Sequence, residues 1–155
     1  MKLTAAELCH RLKHELISFR YLVEEDIGVL APFITCRQVQ KGEVLWREGD
    51  PCDYVAFIAQ GRIDIEKETE FEGKQVIVGV YGKGAIVGEL CMLDQTPRSV
   101  TAVALEDSAL LILSKENLER LIEENPALGV KLLKGMLLAV STRLRKSFDR
   151  LTSIF

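Results

Sequence analysis

The sequence is short of histidine and of closely spaced cysteine pairs, and it has no long apolar run. Its two histidines, His10 and His14, both fall near the N-terminus. They lie four apart on an expected helix, where they either share a metal or simply decorate its surface, and no third ligand stands near them in sequence. The four cysteines, Cys9, Cys36, Cys52 and Cys91, are too scattered for a CxxC ligand pair, and nothing points to secretion. They are expected as reduced thiols filling space, in a fold that needs neither disulfide nor metal. The stretch MKLTAAELCHRLKHELISF has no continuous apolar segment and no small-residue cleavage site. It predicts neither a signal peptide nor a membrane span, and hence a cytoplasmic protein.

The 155 residues, 48% hydrophobic and 28% charged, suffice for one globular domain with a real core. A net charge of -3 argues against wholesale nucleic-acid binding. The charge is uneven, however: Met1 to Val130 carries 14 basic against 22 acidic residues, whereas Lys131 to Phe155 carries six bases against Asp149 alone. This basic tail is either a solvated helix face or a surface for an acidic partner, a membrane or nucleic acid.

Three zones follow one another along the chain. A polar helix is expected from Thr4 to about Phe19, and a second, within YLVEEDIGVLAPF, ends near Pro32. From Phe33 to Leu113, short branched and aromatic runs (ITCRQV, EVLW, YVAFIA, RIDIEKET, KQVIVGVY, AIVGEL, SVTAVA, ALLIL) alternate with glycine-bearing turns. No long helix separates them, which excludes a wound parallel sheet. Ser114 is placed to cap a helix over KENLERLIEEN, and Asn125-Pro126 restarts one that runs to about Leu151. On that last helix Val130, Leu133, Leu137, Val140, Leu144 and Leu151 form a heptad seam that suits a dimer or, alternatively, a broad groove of the same domain. A neighbouring stripe of Leu128, Leu132, Met136 and Ala139 faces the body of the domain, and Gly135 permits close approach.

The expected fold is therefore mainly β with flanking helices, an antiparallel jelly-roll β-barrel (double-stranded β-helix) in a single domain over residues 1–155. N-terminal helices occupy 1–32, the barrel 33–113 and C-terminal helices 114–155. Within the barrel, GAIVGELCMLDQTPRSVTA breaks the strand pattern with two glycines, a carboxylate and an arginine. A tight turn leading into a short helix is expected there, exposing successive backbone N–H groups to an anion. Arg98, just after Pro97, offers a rigid fork of donors for a phosphate, and Glu89 can accept from a sugar hydroxyl. Ser99 and the Leu90 and Cys91 amides complete such a cradle. An internal Glu89 to Arg98 ion pair that merely staples the turn explains the same residues.

The order of elements and the segment GAIVGELCMLDQTPRSVTAVA resemble cyclic nucleotide-binding domains, the sensors of the catabolite activator protein and of cyclic-nucleotide-dependent kinases and channels. The resemblance runs from about Tyr21 to Leu144. It includes FRYLVEEDIGVLAPF and KGEVLWREGDPCDYVAFIAQGRIDI, and it identifies residues 84–100 as a phosphate-binding cassette. It implies that Glu89 bonds the ribose 2'-hydroxyl, that Gly88 and Leu90 supply backbone donors near the cyclic phosphate, and that Arg98 engages the phosphate oxygens. Ser99 follows the arginine and leaves cAMP and cGMP equally open as ligand. The last helix covers the base in this family, with Thr142 and Arg143 the candidates here.

Bacterial transcription factors of the family continue into a helix-turn-helix, for which no room is left before Phe155, so DNA is not the expected partner. The expected output is association, through a homodimer along the last helix or an effector protein. A rival reading is a degenerate domain that binds no nucleotide and serves as a structural or protein-interaction module. An enzyme of the cupin-like type is disfavoured, because both histidines precede the strands that would have to carry its metal ligands.

Overall fold

The computed structural model describes residues 3–155. Four α-helices and eight β-strands follow in the expected order: α1 (Ala5–Leu12), α2 (Glu24–Leu30), β1 (Ile34–Val39), β2 (Val44–Trp46), β3 (Tyr54–Gln60), β4 (Arg62–Glu68), β5 (Gln75–Gly82), β6 (Ile86–Val87), β7 (Thr101–Ala104), β8 (Ser108–Ser114), α3 (Lys115–Glu124) and α4 (Pro126–Thr152). Single 3-10 turns occupy Ile17–Phe19 and Ala31–Phe33. The first helix is therefore shorter than the run to Phe19 expected from sequence. Thr4 starts it with a reciprocal cap to Glu7, and the chain turns away after Leu12.

The closed jelly-roll barrel is not what forms. The strands make two separate antiparallel sheets of four, ordered β1-β8-β3-β6 and β2-β7-β4-β5, and neither β1 with β2 nor β5 with β6 is joined by hydrogen bonds. Positive-φ glycines at 84 and 88 leave β6 only two residues, and β2 has three with a shifted register. Strands so short leave the two ends of the sheets apart. With α4 alone running 27 residues, the fold is mixed α/β rather than mainly β.

Two apolar clusters explain the strand sequences. Between the sheets lie Val39, Ala56, Ile58 and Leu110 from one, and Leu45, Ile63, Ile65, Ala102 and Ala104 from the other. The opposite face of the first sheet, with Val55, Phe57, Leu111 and Leu113, packs against Phe19, Ile27, Leu118, Leu128 and Leu132 of the helical layer. The first sheet is thus covered on both sides, which is why β3 and β8 read as nearly unbroken apolar runs. The second sheet is covered on one side only, and its edge strand β5 leaves Val76, Ile77, Val78 and Val80 exposed.

Ser114 caps α3 by accepting from the Asn117 N–H at 3.0 Å, and Asn125 caps α4 by accepting from the Leu128 N–H at 3.1 Å. α4 buries Leu128, Leu132, Met136 and Ala139 and leaves Val130, Leu137, Leu144 and Leu151 exposed. Its two stripes therefore face different surroundings. A Lys131 to Asp26 ion pair of 2.9 Å ties α4 to α2. Burial pushes the Asp26 carboxyl up, but the Val23 N–H and Lys131 outweigh it and hold the group below its ordinary value.

Gly135 sets the approach of α4 to the Ile17–Phe19 turn: a Cβ there would lie 1.9 Å from the Ser18 carbonyl oxygen. Glycine to alanine in a helix ordinarily gains about 1 kcal/mol. Here the crowding should reverse the sign, and Gly135→Ala is expected to lose about 1–3 kcal/mol in urea unfolding.

Candidate functional site

The cassette departs from strand geometry at Gly88, whose φ of 84° is in the left-handed region. A Cβ at Gly88 would lie 2.6 Å from Arg98 Nη1 and 2.8 Å from the Trp46 ring, so a side chain fits neither the backbone nor the space. The chain then makes a tight turn, with the Met92 N–H donating to the Glu89 carbonyl, in place of the expected short helix. Within the described residues no protein acceptor stands opposite the Leu90 and Cys91 N–H groups, which leaves a pair of backbone donors on the turn. Further on, Asp94 accepts from the Thr96 hydroxyl at 2.7 Å and from its N–H at 3.1 Å. Those bonds hold the Asp94 carboxyl below its ordinary value.

Arg98 is buried, at 2% exposure. Its main chain is fixed to the β2–β3 loop: the Arg98 N–H donates to the Asp50 carbonyl and the Gly49 N–H to the Arg98 carbonyl, both at 2.8 Å. The guanidinium donates through Nη2 to the Tyr54 carbonyl at 2.6 Å and through Nη1 to the Gly88 carbonyl at 3.1 Å. It lies 3.9 Å from the centre of the Trp46 ring and 4.8 Å from that of Tyr54. Its Nε has no partner, and the nearest carboxylate is the exposed Asp53, 3.8 Å away. Burial pulls the group below its ordinary pKa, opposed by Tyr54, Asp53, Asp50 and Glu89, yet a guanidinium remains charged across the accessible pH range.

The alternative of a staple between Glu89 and Arg98 is not what forms. Glu89 Oε1 instead accepts from Arg143 Nη1 of α4 at 2.6 Å, and Arg143 Nη2 donates to the Ile86 carbonyl. The Arg143 guanidinium lies 3.9 Å from the centre of the Tyr81 ring. One arginine of the long helix therefore meets the cassette carboxylate, a β6 carbonyl and an aromatic face of β5.

Between these groups is an open-mouthed cavity of about 160 Å³, lined by Trp46, Tyr81, Gly88, Glu89, Arg98 and Arg143 among others. Leu90, Cys91 and Ser99 also line it, so seven of the eight residues singled out from sequence converge. Thr142 is not brought there. Its hydroxyl donates to the Leu138 carbonyl at 2.8 Å, and the residue borders a groove beside Lys13 and Arg20 on another side of α4. Sequence reasoning missed Trp46 and Tyr81, the aromatic faces behind the two arginines. The run EVLW marks Trp46 as a strand residue but carries no sign of what it faces.

The reduced-thiol expectation is also corrected. Cys52 and Cys91 form a disulfide, whereas Cys9 is a buried and Cys36 an exposed free thiol. Burial, with Cys36 nearby, pushes the Cys9 thiol up to about 12, which makes it inert. His10 meets Glu24 at 2.8 Å, and no group of three or more His, Cys, Asp and Glu able to hold a metal occurs among the described residues. No helix among them is long and apolar enough to cross a membrane.

The profile of the family described as "Cyclic nucleotide-binding domain" matches residues 36–125. The anaerobic regulatory protein of Bacillus subtilis is 35% identical over 127 residues, 81% of this chain and 51% of its own length. The cyclic AMP receptor protein of Thermus thermophilus is 29% identical over 108 residues, 70% of this chain and 50% of its own. The chain thus spans about half the length of these two relatives. Among solved structures, a cyclic nucleotide-binding domain from Methylobacillus flagellatus superposes with a TM-score of 0.84 at 28% identity, covering 95% of this chain and 86% of that one.

The Glu89 to Arg143 contact ties the cassette to α4, and both side chains are largely buried. A double-mutant cycle with Glu89→Gln and Arg143→Ala should return a coupling of about 1–3 kcal/mol in urea unfolding. Additive single effects would mean that the pair does not hold the helix.

Proposed function

The chain belongs to the cyclic nucleotide-binding domain family, and from that premise we propose that it is a cyclic nucleotide sensor, a non-catalytic module over residues 1–155 that takes cAMP or cGMP in the cavity beside Arg98. The observation that carries this reading is the convergence of a buried guanidinium, a partly buried carboxylate and free turn amides on one cavity. A cyclic phosphate needs a cation and N–H donors, and a ribose needs a hydroxyl acceptor. Arg98 and the Leu90 and Cys91 amides are the phosphate side of the site. Glu89 is the ribose side: its Oε1 holds Arg143, and its second oxygen is left to accept the 2'-hydroxyl. Ser99, which also lines the cavity, adds a hydroxyl donor without choosing the purine. Arg143, packed flat on Tyr81, closes the site from α4 at the end where a base would lie.

Signal transfer follows from that last contact. Ligand binding shifts a population in which α4 is held less firmly toward one in which it is docked, to the extent that the ligand prefers the docked state. The output is association: the exposed Val130, Leu137, Leu144 and Leu151 lie seven residues apart along α4 and suit a second copy of the same helix. An effector protein reading that dimer completes the scheme, in the cytoplasm. The occupied donors of Arg98 favour a second reading, an interaction module that binds no nucleotide.

Calorimetry with cAMP and cGMP separates the two readings, since only the sensor gives a heat of binding. Removing the phosphate's counter-charge in Arg98→Ala is expected to weaken binding by about 10–100-fold, with a cooperative melt retained. Wild-type affinity in that variant would refute the assigned role. Leu137→Asp should convert the dimer to a monomer in sedimentation equilibrium, and an unchanged mass would remove the seam from the interface.

A further inference from the structure

Arg98 is sealed in. Gly88 and Tyr54 carbonyls hold its terminal nitrogens, the Trp46 ring lies against it, and Cys91 Sγ stands 3.7 Å from Nη1. Cys91 is itself only 1% exposed and is bonded to Cys52, 39 residues earlier in the chain. Cys52 sits on the β2–β3 loop, the same loop whose Gly49 and Asp50 fix the Arg98 main chain. An anion that bonds Nη1 competes with the Gly88 carbonyl, and it gains room when the turn from Glu89 to Met92 swings away from the loop. The disulfide is the covalent restraint on that movement.

We propose that the Cys52–Cys91 disulfide is a redox clasp that closes the cassette over Arg98, and that its reduction opens the site to the phosphate of a cyclic nucleotide. The proposal rests on the reading of this cavity as a nucleotide site. The reductant is a dithiol. Its thiolate attacks Cys52, the half-exposed member of the pair, the Cys52–Cys91 bond breaks, and a mixed disulfide forms on Cys52. The second thiol of the reductant resolves that bond. Two electrons and two protons have then passed to the protein, which holds two thiols, and the dithiol has become a disulfide. Cys91 departs as a thiolate beside the Arg98 guanidinium, which stabilises it until it takes up a proton, and a stabilised leaving group makes a disulfide labile. In a reducing cytoplasm a disulfide is transient and redox-sensing rather than structural, which fits a clasp better than a staple.

The test titrates cAMP into the full chain after oxidation with diamide and after reduction with dithiothreitol, beside Cys52→Ser, which cannot form the bond. The reduced chain is expected to bind about tenfold more tightly than the oxidised one, with Cys52→Ser matching the reduced chain in both buffers. Measurable binding of equal affinity in the oxidised and the reduced chain would overturn the clasp, as would alkylation of both Cys52 and Cys91 without prior reduction. Hydrogen exchange without ligand gives an independent readout. Amides of residues 88–94 should exchange faster on reduction, and unchanged rates also overturn the proposal. Exchange that quickens while neither form binds nucleotide supports the clasp and refutes the nucleotide reading instead.

Discussion

The hold on one buried guanidinium organises this molecule. A charge at 2% exposure is costly unless its donors are met, and the carbonyls of Tyr54 and Gly88 meet one donor each on Nη2 and Nη1 of Arg98 while its Nε is left without a partner. Tyr54 opens β3, Gly88 ends β6, and the Arg98 main chain is bonded to the loop after β2. Three segments distant in sequence are therefore fixed to one side chain, and the cavity is the space left beside it. At Nη1 and Nη2 an anion would compete with carbonyls already in place.

The second arginine divides the work differently. Arg143 comes from α4 and reaches the cassette only because that helix packs closely, with Gly135 against Ser18 and Lys131 on Asp26. Its bond to Glu89 couples the cavity-lining carboxylate to the element that also displays an exposed apolar stripe. Pocket and exposed stripe thus share one helix, and no chain of intermediates is needed between them.

Features set by local periodicity were legible in the sequence. The inward stripe of α4 appeared at its expected positions while Leu133 and Val140 of the other stripe are half-buried, the caps at Ser114 and Asn125 matched their residue types, and each of the eight strands overlapped one of the quoted runs, five of them lying wholly inside it. The cassette was readable because glycine, carboxylate and arginine interrupt an apolar run for no packing reason. What failed depended on distance in space. Whether the sheets close is decided by how many residues β2 and β6 keep, which glycine placement influences but does not announce. The Cys52 to Cys91 bond joins residues 39 apart, and nothing in their spacing signals it. Adjacent positions on a helix diverge by about 100° around the axis, and here that turn takes Thr142 away from the cavity that Arg143 lines.

The anchoring of α4 is lopsided. Its contacts with the body concentrate from Leu128 to Arg143, while Leu144, Phe148 and Leu151 are exposed. From Gly135 to Thr152 the helix extends about 25 Å. A tilt of about 10° about the Gly135 contact would sweep its far end through about 4 Å, roughly the width of a side chain. The helix is mechanically a lever with its fulcrum at a glycine, and subtle motion near the cavity is magnified at the tip.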